Sequence, residues 1–296
     1  MPNLKDIQIK ISGIKKTQQI TKAMNMVAAA KFRGAQEKVE EFRPYASKFS
    51  QVMGQLSEIA DPNAFPLMEI RDVKKVCVLL VTADRGLCGA FNANLINETQ
   101  KYLRAQQAEG KDVAVICLGR KGYGFFSKSG VEVPYHLVDC MANPHISDAK
   151  KVGMELTKRF LDGEFDEVHL MYGKFVNVVT QKPTLQKLLP ISPQVLAGPE
   201  DEESQDTGPK PTYIYEPGPE EILDTLMPMF INVQILASML ETGASEQAAR
   251  MTAMDNASRA CKDMIESLTL TYNKARQAAI TAELMDIVGG AEALKG

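Results

Sequence analysis

Two long heptad patterns, one at each end of the chain, restrict what this sequence can fold into. From Leu4 the rhythm runs Leu4, Ile7, Ile11, Ile14, Gln18, Thr21, Asn25, Ala28, Phe32, Ala35, Val39, Phe42, Ala46, Phe49, Met53 and Leu56, and only Gln18, Thr21 and Asn25 break its apolar character. A second seam runs Ile222, Leu226, Met229, Val233, Leu236, Leu240, Gly243, Gln247, Arg250, Met254, Ala257, Cys261, Met264 and Leu268, with small and apolar residues continuing to Val288. Alternating steps of three and four hold one stripe against a neighbouring helix that winds slightly left-handedly about it. At about 1.5 Å per residue the first segment would extend roughly 80 Å and the second roughly 100 Å. An antiparallel pair within one chain is the simplest arrangement, with 1–60 and 219–290 as the two helices of a shaft. Polar seam residues cost stability and set register. Pro44 is expected to bend the first helix or remove one of its hydrogen bonds.

Between the helices the pattern changes. KKVCVLLVT (74–82) is a β-branched, apolar run of the kind that forms a buried strand. A helical face on Leu95, Thr99, Tyr102 and Leu103 follows, then a second strand in DVAVICLG, a short third at Val133 to Val138, a helix from Ser147 to Leu161, and a strand in DEVHLMYGKF. Strands alternating with helices specify an α/β fold, a Rossmann-like, mainly parallel, doubly wound sheet, over residues 72–215. Within it the acidic stretch 197–211 is expected to be a mobile surface loop, and TYIY after it returns as one more strand.

Two glycine clusters sit where phosphate-binding loops occur, between a strand and a helix. Asp84-Arg85-Gly86-Leu87-Cys88-Gly89 lacks both the GxGxxG spacing and the GxxxxGK[ST] pattern, and so reads first as a tight turn. Gly119-Arg120-Lys121-Gly122-Tyr123-Gly124 is similar. Cys88 next to Arg85 is a conceivable nucleophile, although a cysteine in a turn is more often simply packed. The five cysteines form no CxxC pair, and His136, His145 and His169 lack metal-ligand spacing. No uninterrupted apolar run exceeds the six residues of Val76 to Val81, which is too short for a membrane span, and the amino terminus lacks the apolar stretch of a secretory signal. From these features a soluble chain of a reducing compartment is expected.

Formal net charge is only -3, but Lys5, Lys10, Lys15, Lys16, Lys22, Lys31 and Arg33 face a single acid, Asp6, over the first 33 residues. A solvated face is the ordinary explanation. No aromatic residue interleaves with the early lysines for base stacking, so nucleic acid fits poorly and an acidic protein surface fits better. Near the other end, Arg276, Gln277, Thr281 and Glu283 lie within about two helical turns of one another.

ITKAMNMVAAAKFRGAQ (20–36), TADRGLCGAFN (82–92), ASEQAARMTAMDNA and LTYNKARQAAITAELMDIVGGAEAL resemble the gamma subunit of the rotary F-type ATP synthase, in the family's order and across both termini. The resemblance implies a central stalk that couples ion flow through a membrane ring to conformational changes at the beta subunits. It also implies no cofactor and no nucleotide chemistry of its own. The implied partners are the alpha and beta subunits of the catalytic head, the epsilon subunit and the c-subunit ring, with no nucleic acid and no direct membrane insertion. The implied location is peripheral, on the cytoplasmic face of the bacterial inner membrane. Matched position by position, the resemblance assigns rotor–stator contacts to Met24, Arg250, Arg276, Gln277, Thr281 and Glu283. No dithiol insertion of the plastid type is present, since 197–211 holds no cysteine. A nucleotide-dependent enzyme using 84–89 and a basic coiled-coil adaptor for nucleic acid are the competing classes.

Overall fold

The computed structural model describes residues 4–59, 65–192 and 218–293. The element order is α1 (Leu4–Ile59), β1 (Lys75–Val81), α2 (Phe91–Ala108), β2 (Asp112–Leu118), α3 (Arg120–Phe126), β3 (His136–Leu137), α4 (Ile146–Leu161), β4 (Glu167–Phe175), β5 (Gln181–Leu189) and α5 (Pro219–Ala293). By contacts the chain divides into two compact units, Met1–Ala29 with Met251–Gly296, and Ala30–Arg250. The expected loop at 197–211 and the TYIY strand lie outside the described residues.

In the first unit the two helical segments run antiparallel. The Gln18 amide donates to the Ser258 carbonyl (3.4 Å) and the Asn25 amide to the Met251 carbonyl (2.8 Å), so that α5 numbers fall as α1 numbers rise. Two of the three polar interruptions in the first seam therefore tie one helix to the other, while Thr21 bonds back to the Gln18 carbonyl in its own helix. Ile7, Ala28 and Met254 are buried along this interface.

The second unit is built on a five-stranded sheet of order β3-β2-β1-β4-β5. β1 to β4 are parallel and β5 is antiparallel to β4, as the mainly parallel α/β expectation requires. Alternate β1 residues serve opposite faces. Cys77, Leu79 and Val81 join a core with Val39, Met53 and Leu56 of α1, Val152, Leu156 and Phe160 of α4, and Leu223, Phe230 and Ile235 of α5. Val78 and Leu80 join the other core with Phe91, Leu95 and Leu103 of α2 and Phe126 of α3. The strand is apolar throughout because both faces are covered.

Three details depart from expectation. The third strand shrinks to two residues, His136–Leu137. β5 was hidden in sequence because its composition, QKPTLQKLL, suits an edge strand, and Pro183 stands opposite Gly173 where only an edge tolerates it. In α5 the strict seven-residue seam fails. Met229 is 42% and Met264 53% exposed, while Phe230, Ile231 and Ile235 are fully buried. From Ile235 to Arg250 this helix is packed nearly all round, so a single stripe does not describe it. α1 continues through Pro44 and α5 through Pro228. By length and composition alone α5 could cross a membrane, with an 18-residue window of mean hydropathy 1.4, yet half of that window is buried inside the protein.

Candidate functional site

In an open α/β sheet, ligands bind beyond the carboxyl ends of the strands where the strand order reverses. Here that place lies between β1 and β4. Their pairing ends at Leu80 opposite Met171, which leaves the backbone of Gly173 and Phe175 without a β1 partner. Side chains of α5 take those groups instead. The Gly173 N–H donates to Thr242 Oγ1 (3.2 Å), the Gly173 carbonyl accepts from Ser245 Oγ (2.9 Å), and the Phe175 N–H donates to Glu241 Oε2 (2.8 Å). Arg43 of α1 closes the network, donating to Glu241 Oε1 (2.8 Å) and to the Phe175 carbonyl (3.0 Å). Residue 173 is glycine because a Cβ there would stand 2.7 Å from the Phe91 ring.

The other wall is the loop after β1. Several of its polar atoms are used within the fold. The Asp84 carboxylate accepts the backbone N–H groups of Arg120 (2.9 Å), Asp139 (2.9 Å) and Met141 (3.0 Å). Asn92 accepts the Ala83 N–H (3.0 Å) and donates to Cys88 Sγ (3.1 Å). Arg250, only 9% exposed, donates to the Gly86 carbonyl (3.0 Å) and pairs with Glu246, which is 4% exposed. Burial pushes the Glu246 carboxyl above its ordinary range, against the pull of the Arg250 charge. Leu87 has φ 64° and points outward, 63% exposed.

The second glycine cluster is a packing device. Gly119 has φ 93°, and a Cβ there would lie 2.0 Å from the Thr82 carbonyl oxygen. The Gly122 N–H donates to Thr82 Oγ1 (2.9 Å), whose hydroxyl donates to the Leu118 carbonyl (3.2 Å). These glycines let α3 sit directly on the end of β1.

Cys88 is not poised as a nucleophile, because burial pushes its thiol up and Arg250 offsets this only in part. Burial likewise pushes Cys117 and Cys140 up to about 12 and raises Cys77 further. Thiol labelling of the folded chain near pH 8 should therefore reach only half-buried Cys261, with the other four at least about tenfold slower until the chain is unfolded. Rapid labelling of Cys88 in the native chain would contradict this.

Of the residues assigned by resemblance, Arg276, Gln277, Thr281 and Glu283 are all exposed on α5, and every described side chain from Thr281 to Ala291 is exposed. Thr281 Oγ1 donates to the Gln277 carbonyl (2.9 Å) one turn back. At about 100° per residue, Gln277 and Thr281 share one face while Arg276 and Glu283 share another, roughly a quarter-turn or more away. Met24 is half-buried and stands near the level of Met251, about 35 Å along α5 from Arg276, so the structure does not bring it to that group. Arg250 is committed to bonds within its own chain. The crevice residues Glu241, Thr242, Ser245 and Glu246 were not singled out in sequence. Their signal was the polar run ETGASEQAAR directly after the mainly apolar stretch from Met227 to Leu240.

These features define a class: a helical-hairpin protein whose Rossmann-like domain has its ligand crevice filled by its own carboxyl-terminal helix. The family model described as ATP synthase matches residues 3–294. The ATP synthase gamma chain of Desulfotalea psychrophila is 54% identical over 295 residues, covering 100% of both chains, and that of Nitratidesulfovibrio vulgaris (strain Hildenborough) is 52% identical with the same coverage. Among solved structures, a chain of the Euglena gracilis mitochondrial ATP synthase (OSCP/F1/c-ring, rotational state 3) aligns with a TM-score of 0.68 at 20% identity, over 98% of this chain and 94% of that one. A chain of the Tetrahymena thermophila mitochondrial ATP synthase central stalk and c-ring aligns with a TM-score of 0.62 at 24% identity, over 81% and 99%. The chain belongs to the ATP synthase gamma chain family.

Proposed function

We propose that this chain is the rotor of an F-type ATP synthase, coupling ion flow through a membrane ring of c subunits to conformational changes at catalytic beta subunits. Residues 1–60 and 219–290 form its shaft and 72–215 its α/β domain. The alpha and beta subunits surround the shaft, the epsilon subunit and the c ring bind toward the α/β domain, and the whole stands peripherally on the cytoplasmic face of the inner membrane. The chain carries out no nucleotide chemistry. The observation that carries this proposal is the family match over essentially the full length. The filled crevice supports it against a nucleotide-dependent enzyme, since the site such an enzyme would use is occupied by Thr242, Ser245 and Arg250.

A shaft without threefold symmetry inside three catalytic sites presents a different face to each. Every tenfold difference in nucleotide affinity between sites then requires about 1.4 kcal/mol of differential contact. The coupling is reciprocal, so nucleotide occupancy biases the angle of the shaft as the shaft biases occupancy. The exposed pair Arg276 and Gln277, with Thr281, Glu283 and the half-buried Met24, supplies side chains for those contacts.

The test is steady-state ATP hydrolysis by cognate alpha and beta subunits with and without this chain. Activity in a single large complex should require the chain, and R276A/Q277A should lower assembly affinity or turnover about tenfold, as expected for an arginine at an interface centre. A chain that neither joins the complex nor alters turnover refutes the proposal. A double variant equal to wild type removes only these two contacts from it.

A further inference from the structure

The polar run on α5 grips both walls of the crevice. Glu241, Thr242 and Ser245 bond the β4 wall, and Arg250, backed by Glu246, bonds the loop after β1. At about 100° per residue these five side chains spread over roughly 180° of the helix circumference, the first three on one side and the last two on the other. The hydrophobic driving force is non-directional and fixes the angle of a helix less sharply than hydrogen bonds, which weaken steeply with misalignment. Bonds on opposite sides therefore resist rotation of α5 about its axis in either direction. Arg43 adds α1 to the same lock through Glu241 and the Phe175 carbonyl.

We propose that Glu241, Thr242, Ser245 and Arg250 form a torsional key, seating α5 in the crevice of the α/β domain so that helix and sheet turn as one body. The crevice takes the chain's own helix in place of a soluble ligand. This rests on the rotor function above and assigns these residues a positioning role, with Arg250 acting inside the chain.

The experiment uses the complete ATP synthase in sealed vesicles, measuring ATP hydrolysis and ATP-driven uptake of the coupling ion, proton or sodium, in parallel. T242V/S245A removes both bonds to Gly173, two of the three on the β4 side of the key. It should keep hydrolysis within about twofold and lower the ratio of uptake to hydrolysis by roughly threefold or more, the size of one net hydrogen bond. T242S/S245T, which keeps both hydroxyls, should restore the ratio. E241Q, which keeps an acceptor for the Phe175 N–H but gives up the charge facing Arg43, should lower the ratio less and serves if the double variant fails to assemble. An unchanged ratio in T242V/S245A, with the Gly173 amide exchanging faster than in wild type, overturns the key, as does an unchanged ratio in E241Q. A wild-type complex that hydrolyses ATP with uptake of neither protons nor sodium overturns the rotor function itself, an outcome distinct from a coupled wild type with indifferent variants.

Discussion

Replacing Arg250 by alanine should destabilise the second unit by about 3–5 kcal/mol, because it strands the Glu246 carboxylate in the interior and leaves the Gly86 carbonyl without its donor. The loss should depend on pH in a defined direction. Burial already raises the Glu246 carboxyl above its ordinary value, and removing the arginine charge raises it further. A group whose folded pKa lies above its unfolded value favours folding most below the unfolded pKa, and that advantage disappears as pH rises through the folded pKa. The variant's deficit relative to wild type should thus be smallest under acidic conditions and grow toward neutrality. R250A/E246Q should recover part of the loss at neutral pH, since no charge is then buried unpaired. Denaturant unfolding at pH 4.5 and pH 7.5 checks the claim; an equal, small loss at both would mean that Arg250 is not committed to the interior.

Gly119→Ala should be comparably damaging for a different reason. The backbone at φ 93° and ψ 145° lies in a region open essentially to glycine alone, and the added Cβ would stand 2.0 Å from the Thr82 carbonyl oxygen, a rigid backbone atom. Strain and overpacking together should cost about 3–5 kcal/mol. Gly124→Ala, where nothing lies within 4 Å of the new atom, should be near neutral in the same unfolding experiment. If both variants were equally stable, the close seating of α3 on β1 would be wrong.

The terminal helices were legible because a coiled-coil seam is written locally, in steps of three and four. Even its polar breaks carried meaning: Gln18 and Asn25 bond carbonyls of the opposite helix. Periodicity fails at Met264 within the two-helix unit and again where α5 is enclosed by sheet, α1 and α4, so that the strict repeat picks Met229 for the seam and misses Phe230. The turn character of 84–89 was legible from glycine and aspartate. The source of its rigidity was not, since the partners of Asp84 lie 36 to 57 residues away and that of Gly86 lies 164 away. β5 escaped because edge strands need few apolar residues. The crevice was the least legible feature, since only the fold brings ETGASEQAAR against Gly173 and Phe175.

A filled crevice changes what the α/β domain is for. Its strands, loops and glycines build a socket, and the occupant is the helix that runs on to the exposed stretch holding Arg276, Gln277, Thr281 and Glu283. On the proposed key, such a domain is a mechanical fitting of the rotor.

The most direct measurement is rotation itself. The alpha and beta subunits would be fixed to a surface, this chain assembled with them and marked with a bead on an exposed position of the α/β domain, and the bead followed as ATP is supplied. Unidirectional, ATP-dependent turning is the expected result. Sustained hydrolysis by the same fixed complexes with a bead that only fluctuates about one angle would contradict the account.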